Sequence, residues 1–267
     1  KAHEELLKTN ENYDVIVVDE FQDLAVEPYM YILDRLLKGG LASGNWYFFG
    51  DFEKQNIFQR NISEKEIIKK LGYPSFNIEL RKNCRNTPSS VDRIEVISNL
   101  DPQYDRPIMR SEGLTEPTVY EYKDDKEQIK NLNECIENMK SIGYNTNEIL
   151  ILSPIAHSLA SRADSKHPDI SNIEEPKLGS EFDLGFDVYE FNFEEETQSN
   201  PGPYHTTIQK YKGLEFNVVI LTDLDFYDYF TNPKDELRSL MYVGMTRGLE
   251  TNILHVSKDV SSSGFIQ

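Results

Sequence analysis

Residues Val15 to Val18 are continuously apolar and β-branched, and the run stops abruptly at Asp19-Glu20-Phe21-Gln22-Asp23. A short apolar run of this kind predicts a strand buried on both faces, as in a parallel sheet. Three carboxylates and an amide at the carboxyl end of such a strand are costly to place unless they bind something. That end is also where open α/β sheets hold their ligands. A hard cation such as Mg²⁺ takes oxygen ligands and keeps waters for substrate phosphates. Asp19 suits that cation, directly or through water, and Glu20 suits an attacking water that must be oriented or deprotonated. An Asp-Glu pair alone is as common in plain acidic loops; the full string is far more restrictive.

The chain has 267 residues, enough for one large or two ordinary α/β domains. Its formal charge of −18 argues against a protein that grips nucleic acid with its outer surface, and confines any such contact to a local cleft. Cys84 and Cys135 lie far apart and His3, His157, His167, His205 and His255 are scattered, so no zinc spacing is present. Reduced thiols, together with no signal peptide and no long uncharged apolar run, make a cytoplasmic location and no membrane partner the expectation.

Along the chain, apolar periodicity predicts a helix over 27–38 closed by Lys38-Gly39-Gly40, and a second buried strand at Asn45–Phe49 running into Gly50-Asp51. A short capped helix over 63–71 and a third strand over Phe76–Leu80 follow, then the basic stretch Arg81 to Thr87. Residues 88–99 suit a helix, and Pro and Gly punctuate 101–116. Strands at 118–122, 149–152, 218–222 and 252–256 alternate with helices at 124–140, 155–163 and 235–248, and the Ser-rich tail is expected to fray. The expectation is therefore an α/β fold, with residues 1–87 in a first domain, 88–116 connecting, and 117–267 in a second. Residues 164–204 form an irregular acidic insertion in the second domain.

The polar clusters stand in one order: Val18 to Asp23, Gly50 to Phe58, Leu80 to Thr87, Thr207 to Phe216, and Leu240 to Arg247. In that order the chain resembles superfamily 1 helicases of the UvrD/Rep/PcrA type, from their second motif (the Walker B box) to their sixth. The resemblance implies a P-loop NTPase with RecA-like parallel sheets, one partial and one complete, that use ATP and Mg²⁺ to move on single-stranded DNA. It assigns Asp19 to the metal, Glu20 to the hydrolytic water and Gln55 to sensing the γ-phosphate. Arg85 and Arg247 become arginine fingers; Gly213 and Glu215 take the nucleotide, and Phe58 and Thr207 the nucleic acid. In this family two RecA-like domains close on ATP and open after hydrolysis, so the arginines act only on closure.

This sequence departs from the family pattern in several places. Gly50 and Gln55 are five residues apart where four is usual, Cys84 stands where an aromatic base-stacker precedes the arginine, and Arg60 and Gln209 replace a tryptophan and a histidine. No Gly-x-x-x-x-Gly-Lys-Ser/Thr occurs. The expectation is thus the C-terminal portion of a longer helicase, inactive without an N-terminal segment that carries the phosphate loop. An incomplete first sheet should leave an apolar face open to association, and a nuclease or other protein is a possible partner. The alternative is a non-catalytic interaction module that binds a partner through its acidic 174–196 segment.

Overall fold

The computed structural model describes residues 12–51, 78–155, 188–194, 201–226 and 234–262. The chain divides into two compact units, Lys1–Leu80 and Arg81–Gln267. The expected helices at 63–71 and 155–163, Gln55, Phe58 and Arg60, and most of the acidic 174–196 segment lie outside the described residues.

In the first unit, β1 (Val15–Val18) and β2 (Asn45–Phe48) pair in parallel, Val15 opposite Asn45 and Val18 opposite Phe48. The helix Glu27–Leu36 crosses between them, with Pro28 in its first turn, and Gly39 at φ 82° lets the chain turn after it. Ile16, Val18, Trp46 and Phe48 pack with Phe21, Ala25, Leu37 and Leu41 on one face of the pair. Burial of β1 on both faces is not what the structure shows. Val17 is 64% exposed and Tyr47 59%, because the pleat sends alternate side chains to a face that none of the described residues covers. Residues 78–80, expected to end a third strand, make no strand pairing, and Ile78 and Leu80 are exposed.

The second unit is built on a six-stranded parallel sheet in the order β3-β8-β7-β4-β6-β5. These are β3 (Thr118–Tyr122), β4 (Ile149–Ser153), β5 (Tyr189–Glu190), β6 (Tyr204–Thr207), β7 (Phe216–Leu221) and β8 (Gly248–Ser257). Every residue of β4 is buried, as its unbroken apolar run requires when helices cover both faces. The helix Asp125–Ile142 is started by Asp124, whose carboxylate accepts the Glu127 amide at 2.9 Å, and is ended by Gly143. Its Ile129, Leu132, Ile136 and Met139 are buried against Ile149, Ile151, Val218 and Ile220. Each such side chain contributes roughly 1.5–3 kcal/mol relative to exposure. The helices Pro88–Ser98 and Lys234–Met245 pack against each other, and both contact β8.

The stretch 81–116 docks on this second unit, whereas the sequence places a boundary after residue 87. Asn86 Nδ2 donates to the carbonyls of Gly248 and Thr246, at 2.7 and 3.3 Å. The Tyr104 and Tyr242 hydroxyls meet at 2.8 Å, and Arg110 pairs with Glu250 at 2.5 Å. Residues 258–262 of the Ser-rich tail form a short helix rather than fraying.

One buried side chain makes the second unit sensitive to acid. His255 on β8 lies wholly inside, its ring 5.1 Å from that of Tyr120, and neither ring nitrogen has a hydrogen-bond partner. Burial holds its pKa down to about 3. The unfolded chain therefore takes a proton near the ordinary value of about 6.5 that the folded protein refuses. Above that pH the group contributes nothing; as pH falls from about 6.5 towards 3, stability should drop by a few kcal/mol. Thermal melts at pH 7 and pH 4 measure the drop, and His255→Phe should lessen it. An unchanged acid limb in that variant would show that other groups carry it.

Candidate functional site

In the first unit the ends of β1 and β2 are tied together. Phe49 N donates to the Val18 carbonyl at 2.8 Å, and Phe21 N to the Phe49 carbonyl at 2.8 Å. The chain then tightens into a 3-10 turn over Phe21–Asp23, held down by Phe21, which is buried and stacks on Phe48 at 4.0 Å. Glu20 precedes that turn in the left-handed region, φ 50°, a conformation that non-glycine residues seldom take. Asp19 stands exposed, its carboxylate accepting the Glu20 amide at 2.9 Å. The Glu20 carboxylate accepts the side-chain amide of Gln22. No cluster of three or more metal-ligating side chains occurs among the described residues. A lone exposed carboxylate at a strand end nevertheless fits Mg²⁺, which completes its octahedron with waters and substrate phosphates rather than a protein cage.

In the second unit the folded sheet brings three distant stretches together. Arg85 Nε donates to the Glu215 carboxylate at 2.6 Å across 130 residues of sequence. Arg85 is aimed by the turn before it: Asn83 Oδ1 accepts the amides of Arg85 and Asn86, at 3.0 and 2.9 Å. Glu215 is fixed in turn, since the Tyr211 hydroxyl donates to its carbonyl at 2.9 Å. Burial, chiefly, pushes the Tyr211 phenol well above its usual range, so it stays a neutral donor. Gly213 takes φ +87° and a Cβ there would meet nothing within 4 Å, so its backbone conformation rather than tight packing calls for glycine.

Arg247 lies at the same place but is turned inward. It is 1% exposed; its Nε donates to the Val243 carbonyl at 2.9 Å and its Nη1 to the Leu214 carbonyl at 3.3 Å. Its Nη2 donates to Thr246 Oγ1 at 2.9 Å. Thr207, at the end of β6, accepts the Lys210 amide at 3.2 Å through its hydroxyl. The structure therefore gathers Arg85, Gly213, Glu215 and Arg247 in the second unit, and Asp19 and Glu20 in the first. Sequence reasoning missed Asn86 and Gln22. The turn-forming Asn83-x-x-Asn86 spacing ahead of a helix-starting Pro88 was a visible signal for the first.

The Arg85–Glu215 pair is half-exposed, so its net effect on stability is small, about 1 kcal/mol or less. Arg85→Ala should leave the urea midpoint nearly unchanged. A large loss of stability would instead place Arg85 in the structural framework.

The second unit is thus a parallel six-stranded sheet flanked by helices, with the Arg85–Glu215 pair at the amino-terminal start of β7. Residues 203–254, running from the start of β6 into β8, match the UvrD-like helicase C-terminal domain family. No curated protein matches the chain. Among solved structures, it is similar to the C-terminal domain of a possible DNA helicase from Lactobacillus plantarum WCFS1. That similarity has 16% identity and a TM-score of 0.42, over 65% of this chain and 87% of the other. A likeness this loose carries no argument of its own. No helix among the described residues is long and apolar enough to cross a membrane.

Proposed function

We propose that this chain is the C-terminal portion of an ATP-dependent superfamily 1 DNA helicase or translocase that couples hydrolysis to movement on single-stranded DNA. The observation that carries the reading is the Arg85–Glu215 pair, next to the Leu214 carbonyl that Arg247 engages, with Glu215 and Arg247 inside the matched region and Arg85 outside it. An arginine held by a carboxylate just before a parallel strand can exchange that partner for a phosphoryl group and stabilise its developing charge.

The first unit carries the metal and water roles that the resemblance assigns. Asp19 would hold Mg²⁺, which neutralises phosphate charge when bound. Glu20 orients and deprotonates the attacking water, with its backbone fixed by the turn that follows. On the second unit, Glu215 would accept from the ribose and Thr207 would face the nucleic acid. Gln55 and Phe58 keep the γ-phosphate and base-stacking roles that the resemblance assigns them.

ATP hydrolysis with and without single-stranded DNA tests this, with a phosphate-loop segment supplied on the same polypeptide or in trans. DNA-stimulated turnover that disappears in Arg85→Ala is the expected result. Turnover indifferent to both DNA and Arg85 would sink the reading.

A further inference from the structure

We propose that Gln22 is a positioning residue that aims the Glu20 carboxylate and ties it to the end of β2. The inference rests on the reading of Glu20 as the group that handles the attacking water. Gln22 is 4% exposed, and both ends of its amide are engaged. Its Nε2 donates to Glu20 Oε2, while its Oε1 accepts the backbone amide of Asp51 at 3.2 Å. The orientation follows from the partners, because the reverse would set a carbonyl against a carboxylate and an amide donor against an N–H. Asparagine is a methylene too short to span both, and glutamate would bring a second negative charge against Glu20.

The neighbouring glycine bears the same mark. A Cβ built on Gly50 would stand 2.5 Å from Gln22 Oε1, closer than real contacts allow, whereas its next neighbours are backbone nitrogens at 3.3 and 3.4 Å. Gly50 is therefore the residue that leaves room for the Gln22 carbonyl. Glu20 sits in the left-handed region directly before the turn, so its backbone alone does not settle where the carboxylate points. The side-chain hydrogen bond does. Gln22 touches no reacting atom in this scheme; it acts through Glu20.

The test is a double-mutant cycle with two readouts. In the first, thermal midpoints are measured for Gln22→Ala, Gly50→Ala and the pair. Gly50→Ala should lower the midpoint in the wild-type background and cost nothing further once Gln22 is truncated, since the clash is gone. In the second, turnover is measured in the ATP-hydrolysing form described above, with Glu20→Gln as control and Gln22→Met as a variant that keeps the packing volume. Gln22→Ala and Gln22→Met should each lower kcat about 10- to 100-fold and leave the KM for ATP within about twofold, as loss of aim rather than of binding. Additive midpoints, or Glu20-dependent turnover whose kcat both Gln22 variants spare, overturn the proposal alone. Turnover that survives Glu20→Gln, or no turnover at all, overturns the functional reading and the proposal with it.

Discussion

With a phosphate-loop segment supplied, Glu20→Gln should lower ATP turnover by about 10²–10⁴-fold, the usual contribution of a positioned general base. The substitution keeps the volume and retains a carbonyl that can still accept from Gln22 Nε2, so the turn over Phe21–Asp23 should be undisturbed. It removes only the charge that the proposed role needs to take a proton from water. Nucleotide binding and the thermal midpoint should therefore match the wild type while hydrolysis falls. Isothermal titration with Mg–ATP, set beside a phosphate-release assay on the same preparation, separates the two. If hydrolysis persists, Glu20 is an acidic surface residue and the first unit loses its assigned chemistry. If binding disappears as well, Glu20 belongs to the binding site.

Arg247→Ala should show its main effect in folding rather than in chemistry. The resemblance casts Arg247 as a finger, yet the guanidinium is buried and engaged by Val243, Leu214 and Thr246. Truncation removes the guanidinium's hydrogen bonds to the Val243 and Leu214 carbonyls and opens a cavity the size of a long side chain. The combined cost should be about 3 kcal/mol or more. Arg247 also carries part of the site's framework, since the Phe216 amide donates to its backbone carbonyl at 2.9 Å where β7 begins. Urea unfolding followed by circular dichroism measures the loss, and Arg85→Ala, the half-exposed arginine, serves as the internal comparison. An Arg247→Ala protein as stable as the wild type would mean that the guanidinium is not holding the end of the Lys234–Met245 helix to the Gly213–Glu215 turn. Arg247 would then be free to serve a phosphate as the resemblance implies.

Much of the second unit was legible in the chain. Continuous apolar runs such as Ile149–Leu152 admit little but a strand buried on both faces, and the helical stripe from Ile129 to Met139 begins at an Asp and stops at a Gly. The end of β1 at Asp19 was equally plain, because the apolar run stops there at charged residues. The same rule failed on β1 itself: Val15 and Val17 read as core and are exposed. Composition states what a residue would prefer to touch, and only the presence of a covering element decides whether it does.

The sequence by itself determined the parallel α/β layering, the cast of polar residues and the order in which they occur, since each depends on local pattern and spacing. Only the tertiary structure decided that Arg85 meets Glu215 across 130 residues, that Arg247 faces inward, and that Gln22 joins Glu20 to Asp51 across 29. Those pairings depend on strand order and side-chain direction, which arise from closing the whole sheet and which no local window of sequence contains.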